Sequence, residues 1–131
     1  MIERKVSNLN CFQFVVFENN LSFAIGRIIF GGESDQSQKW ISPTIIVDVL
    51  GNDSTMEDEI FGPILPIVRC ENPDEAIHFI LNRPKPLALY VFSNNKNLVR
   101  KFLTKTSSGG ACINDVVWQN GFEGLPFGGV G

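Results

Sequence analysis

Asn72-Pro-Asp-Glu-Ala-Ile77, followed by Leu87-Ala-Leu-Tyr-Val-Phe92, decides the architecture of this chain. Asn72 predicts a helix N-cap. Pro73 falls at the first helical position, and Glu75 can reach back to the cap. Ala76, Ile77, Ile80 and Leu81 then recur on one helical face, and Pro84 and Pro86 end the run. Leu87–Phe92 is apolar without a break, which predicts a buried strand. Downstream, Asn94-Asn95 caps a second helix whose stripe is Leu98, Val99, Phe102 and Leu103. Ser107-Ser-Gly-Gly110 turns the chain into a short strand, Ala111-Cys-Ile113, and a glycine-rich loop runs to the end. Upstream, a loop at Phe61–Pro63 leads to a strand at Ile64–Arg69. The order strand, helix, strand, helix, strand predicts an α/β fold: a three-layer arrangement with a parallel sheet between flanking helices.

Further upstream, Arg27-Ile-Ile-Phe30 is a short apolar run closed by Gly31-Gly32, hence a strand and a turn. Glu33–Lys39 is polar and loop-like. Trp40–Val49 is β-branched and predicts a strand, with Pro43 marking an edge or a bulge. Gly51-Asn-Asp-Ser54 is a turn. Residues 1–25 are the least legible, although Phe12, Phe14, Val15, Val16 and Phe17 suit a strand bounded by Asn19-Asn20.

The composition is that of a globular chain: 131 residues, 44% hydrophobic and 19% charged, with a net charge of −3. That charge points to neither nucleic acid nor an anionic membrane as a partner. Cys11, Cys70 and Cys112 are odd in number and widely spaced, so neither a disulfide framework nor a CxxC metal site is expected. A reducing, cytoplasmic setting fits. His78 is the single histidine, which argues against a Ser–His–Asp triad or a multi-histidine metal centre. Cys11-Phe-Gln-Phe-Val-Val-Phe17 is too short to span a bilayer and makes a poor signal peptide.

A set of segments standing in order carries a resemblance. They are Gly31-Gly32, Ile41-Ser-Pro-Thr44, Met56-Glu-Asp-Glu-Ile-Phe-Gly-Pro63, Ile64-Leu-Pro-Ile-Val68, Asp74-Glu-Ala-Ile77, Arg83-Pro-Lys-Pro-Leu-Ala-Leu-Tyr90, Thr106-Ser-Ser-Gly-Gly110, Asn114-Asp115 and Leu125-Pro-Phe-Gly-Gly-Val-Gly131. Together they resemble the aldehyde dehydrogenase superfamily. Lys85–Tyr90 and Thr106–Gly110 lean to its class-3-like branch. The resemblance implies that residues 26–131 are part of the family's catalytic domain, towards its C-terminal end, and that residues 1–25 stand apart. It implies NAD or NADP as cofactor, an aldehyde as substrate, and a homodimer for the complete enzyme. It also implies that the nucleophilic cysteine and the general-base glutamate lie in segments absent from these residues, so no catalytic residue is assigned.

By residue type alone, Glu59 reads as a solvated member of the acidic patch Glu57-Asp58-Glu59. The resemblance assigns its carboxylate to the hydroxyls of the nicotinamide ribose, and an acceptor-only group can hold two neighbouring hydroxyls at once. Phe61 alone reads as a core residue at a strand entry. The resemblance places its ring near the nicotinamide, with Gly62 and Pro63 fixing the backbone so that both side chains face one cleft. Cys112 reads as a small buried thiol, and Cys70 and Cys11 likewise. His78 reads as a surface residue and Asn114 as a turn residue with local hydrogen bonds. Gln119 stands near the place where class-3 relatives often carry a histidine, which leaves the substrate preference open. Gly128-Gly-Val-Gly131 reads as a tight structural loop. Two functional readings follow: a cofactor-binding piece of an aldehyde-oxidising enzyme, inactive alone, or a non-catalytic module that pairs with full-length subunits through exposed sheet edges.

Overall fold

The computed structural model describes residues 26–126 and residue 129. Cys11, the expected strand over 12–17 and most of the terminal glycine-rich loop lie outside the described residues. The described residues separate into two compact units, one over residues 26–69 and one from residue 70 onward. Among the described residues no helix is long and apolar enough to cross a membrane.

In the first unit, β1 (Arg27–Phe30), β4 (Thr44–Val47) and β5 (Ile64–Pro66) form one sheet in the order β1-β4-β5. β2 (Ser34–Asp35) and β3 (Trp40–Ile41) form a small antiparallel pair. β4 and β5 are parallel, as expected for strands joined by the long connection over residues 48–63. β1 departs from the expected parallel sheet: it runs antiparallel to β4, because only the β2–β3 excursion separates them. Ile46, Val49, Ile60 and Ile64 make the buried core, with Ile41, Met56 and Val68 packed against it.

Three expectations for this unit need correction. The strand foreseen over Trp40–Val49 breaks in two at Ser42-Pro43, because Pro43 has no N–H for the ladder. The stretch Glu33–Lys39 is not all loop. The Asp35 carboxylate accepts from the Ser37 hydroxyl at 2.6 Å and from the Ser37 and Gln38 amides, closing the turn that pairs β2 with β3. The Ser37 hydroxyl, followed by the Gln38 amide, holds the Asp35 carboxyl below its ordinary value. β5 ends at Pro66 rather than Arg69, although Ile67 N–H still donates to the Ile46 carbonyl at 2.7 Å.

Two sequence segments twelve residues apart prove to be contact partners. Gly31 sits at φ 71°, and a Cβ there would stand 2.0 Å from the Pro43 carbonyl oxygen. Thr44 Oγ1 accepts from Gly32 N–H at 3.0 Å and donates to the Ser42 carbonyl at 2.8 Å. Ser42 Oγ accepts from Glu33 N–H at 3.1 Å. The glycine turn and Ser42-Pro43-Thr44 are therefore one interlocked corner. Gly31→Ala combines a left-handed conformation with a backbone collision, and is expected to destabilise by about 2–3 kcal/mol. Urea denaturation of the full-length polypeptide checks this; an unchanged midpoint would refute the steric argument.

In the second unit the order is α1 (Pro73–Leu81), β6 (Ala88–Val91), α2 (Lys96–Lys105) and β7 (Gly110–Ile113), and β6 pairs parallel with β7 across the α2 crossover. Asn72 caps α1 as foreseen, its Oδ1 accepting from Glu75 N–H at 2.9 Å; Glu75 Oε2 reaches back one residue further and accepts from Glu71 N–H at 2.7 Å. Asn95 caps α2, accepting from the Asn97 and Leu98 amides. Ala76, Ile77, Leu89, Val91 and Phe102 are the buried core, with Cys70, Ile80, Leu98 and Val99 against it.

The buried helical stripes are narrower than the sequence period predicts. Leu81 and Leu103 are exposed, because the narrow β6–β7 pair covers only the centre of each stripe. β6 is also not buried throughout: Leu89 and Val91 are buried while Ala88 and Tyr90 between them are half-buried, an alternation with one better-covered face, and Leu87 and Phe92, just beyond its two ends, are exposed. Gly109 and Gly110 N–H donate to the Pro86 and Leu87 carbonyls, so the Lys85–Tyr90 and Thr106–Gly110 segments interlock in their turn.

Candidate functional site

The loop from Gly51 to Pro63 is built from anchored ends and an exposed middle. Asp53 is fully buried. It caps the 3-10 turn Ser54–Met56, and its Oδ1 accepts from Thr55 N–H at 2.9 Å and from the Thr55 hydroxyl at 2.8 Å. Its Oδ2 accepts from Gly26 N–H at 3.0 Å, at the entry to β1. Met56 packs on the core, and Ile60, 1% exposed, is one of its centres. Between these anchors Glu57, Asp58 and Glu59 are all exposed. Beyond them, the Pro63 carbonyl accepts from Thr44 N–H at 2.8 Å and ties the loop to β4.

Glu59 and Phe61 thus flank a buried residue and both stand in solvent. Phe61 is 76% exposed and carries φ 46°. A left-handed bulky residue is an outlier that a surrounding structure must impose, here through buried Ile60 and Ile64 on either side. The core role open to Phe61 from its type is excluded. The strain sits at Phe61 itself and not at Gly62, which lacks a positive φ. An exposed acceptor-only carboxylate beside an exposed ring suits a ligand that offers hydroxyls and a flat heterocycle together. That is the chemistry of a nicotinamide riboside, so the residues present fit the group.

The second unit has its own features at the carboxyl ends of its parallel strands. Asn114, at φ 56°, donates its N–H to the Val91 carbonyl at 2.9 Å. Its side-chain Oδ1 accepts from Ser93 N–H at 2.8 Å, and its Nδ2 donates to the Ser93 carbonyl. It is a turn residue, but its bonds tie the ends of β6 and β7 together and are not local. Gln119 Nε2 donates to the Tyr90 hydroxyl at 3.2 Å. Cys112 is half-buried on β7, not fully buried, because only one face of that strand is covered. Cys70 is half-buried too. Burial, and then the nearby Glu75 carboxylate, push its thiol above the ordinary value. His78 is exposed on α1, its ring against the Asn82 amide at 2.8 Å. Among the described residues no group of three or more His, Cys, Asp or Glu side chains could hold a metal ion.

Sequence places Asp53 only in the Gly51–Ser54 turn and gives it no functional role. The signal was present: an aspartate followed by Ser54-Thr55 is an Asx cap in waiting. Its complete burial has no signature in sequence.

The family model described as the aldehyde dehydrogenase family matches residues 20–131. Among curated relatives, aldehyde dehydrogenase family 3 member B1 of Homo sapiens is 55% identical over 106 residues, 81% of this chain and 23% of that protein. Among solved structures, an AldH of Staphylococcus aureus in a substrate-bound state is 47% identical with a TM-score of 0.74, covering 79% of this chain and 22% of that one. A 1-pyrroline-5-carboxylate dehydrogenase from Thermus with bound NAD is 25% identical with a TM-score of 0.68, covering 80% and 20%. The chain spans less than a quarter of the length of each of these proteins.

Proposed function

Because this chain belongs to the aldehyde dehydrogenase family, we propose that it is part of an enzyme oxidising aldehydes to carboxylic acids with NAD or NADP. Its own share is one wall of the nicotinamide site, within a partial catalytic domain over residues 26–131. Glu59 would hold the hydroxyls of the nicotinamide ribose, and Phe61 would lie along the ring. The nicotinamide, when bound, supplies the hydride acceptor. Glu59 and Phe61 orient it, and the Phe61 ring keeps competing polar groups from one side. The observation that carries this reading is Phe61, held outward at φ 46° beside buried Ile60. The NAD-bound Thermus relative supports the choice of cofactor class.

Glu59→Gln in the full-length polypeptide is the test. The amide keeps the length of the side chain but loses a charge-assisted acceptor, worth about 1.5–3 kcal/mol. The dissociation constant for NAD(P), read by calorimetry, is expected to rise about tenfold or more. An unchanged constant would remove Glu59 from the site.

For the complete enzyme the same reading carries a homodimer in the cytoplasm. A second reading, a non-catalytic module pairing with full-length subunits, is favoured by one observation. Among the described residues β1 pairs only with β4, and it exposes Ile29 and Phe30.

A further inference from the structure

We propose that Asp53 is a positioning residue for the cofactor, acting through Glu59; the inference rests on the reading of Glu59 given above. A carboxylate with no exposed surface is costly unless its acceptor positions are filled. Among the described residues, donors converge on it from both sides: Gly26 N–H on Oδ2, and Thr55 N–H and the Thr55 hydroxyl on Oδ1. The Thr55 donors come from the loop that carries Glu59. The Gly26 donor comes from the entry to β1, the strand paired with β4 on the sheet against which Ile60 is buried.

The approach is specific to this backbone. A Cβ at Gly26 would stand 2.7 Å from Ile46 Cγ2 and 2.8 Å from Val49 Cγ2, so only glycine brings its N–H to within 3.0 Å of Asp53. The carboxylate clasps the beginning of the loop to the sheet. Buried Ile60 pins the other end, and the exposed Glu57-Asp58-Glu59 segment hangs between the two. Releasing the first anchor frees the segment to move about the second. The Glu59 carboxylate then loses a fixed position, although the core beneath it stays packed. Positioning errors of this size weaken a two-point hydrogen bond before they unfold a protein.

The test is a double-variant cycle in the full-length polypeptide. Asp53→Asn leaves Oδ1 for Thr55 but turns an N–H donor toward Gly26 N–H. The dissociation constant for NAD(P) is expected to rise about five- to tenfold in D53N. The D53N/E59Q pair should bind no more than about twofold worse than E59Q alone, because both changes act on one contact. A lowered melting temperature with unchanged NAD(P) affinity would overturn the proposal, leaving Asp53 a purely structural residue. Fully multiplicative losses in the pair would overturn it as well. If E59Q itself leaves the affinity unchanged, the ribose reading fails and takes this inference with it. If E59Q weakens binding and D53N does not, the inference fails alone. Should D53N fail to fold, Thr55→Val carries the test, since it removes a single hydroxyl bond from the same carboxylate. A two- to threefold rise that vanishes in the E59Q background supports the clasp, and an unchanged constant overturns it.

Discussion

An aldehyde and NAD mixed with the isolated 131-residue chain are expected to yield no NADH above background. Oxidation through a covalent thioester needs a thiolate, and a thiolate at neutral pH needs a cation, a base or a helix dipole beside it. Cys70 has the opposite environment, since burial and Glu75 raise its thiol and suppress the ionised form. Cys112 lies mid-strand on β7, half-buried, between exposed Ala111 and Ile113. Cys11 falls outside the residues matched by the family model. The one histidine is exposed on α1 with its ring against Asn82. Absorbance at 340 nm with purified chain decides the matter, and sustained NAD-dependent turnover would show that one of these thiols is activated after all. Under the proposed reading Glu59 and Phe61 would hold a cofactor, and holding one does not supply a nucleophile.

Phe102→Ala is expected to cost about 3–5 kcal/mol, since Phe102 is the largest fully buried side chain among the described residues. Phe102 is fully buried, and it joins the α2 stripe to Leu89 and Val91 of β6 and to Ala76 and Ile77 of α1. Its removal leaves a cavity where two helices meet the parallel pair. The Lys101–Asp74 ion pair at 2.6 Å, a further tie between those helices, is largely solvent-exposed on its Asp74 side and compensates little. Leu103→Ala, next in sequence but on the exposed rim, should cost under about 1 kcal/mol. Comparable midpoints for the two variants in urea denaturation of the full-length polypeptide would contradict the placement of the core.

The helical half of the chain was legible because its signals are local. Asn72, Pro73 and Glu75 specify the start of α1 within one turn, and Asn95 does the same for α2. The glycines at 31, 32, 109 and 110 mark corners that the structure keeps. The misreadings share one cause, which is that burial depends on the partner. Leu81 and Leu103 satisfy the helical period yet lie beyond the edge of a two-stranded platform. Leu87 and Phe92 belong to the apolar run but lie just beyond the two ends of the paired strand, where they are exposed. The direction of β1 was likewise invisible, since pairing sense follows from the path of the connection and not from Arg27-Ile-Ile-Phe30 itself.

The candidate site divides in the same way. Sequence by itself named Glu59 and Phe61, through a motif whose spacing survives any surrounding, and it set the caps, turns and strand–helix alternation that local chemistry enforces. Only the tertiary structure decided that Phe61 faces solvent under backbone strain, that Asn114 reaches back to Ser93, and that Asp53 is sealed against Gly26 across twenty-seven positions of chain. Those are contacts between residues far apart in sequence, and their energies exist only once the sheet has brought the partners together.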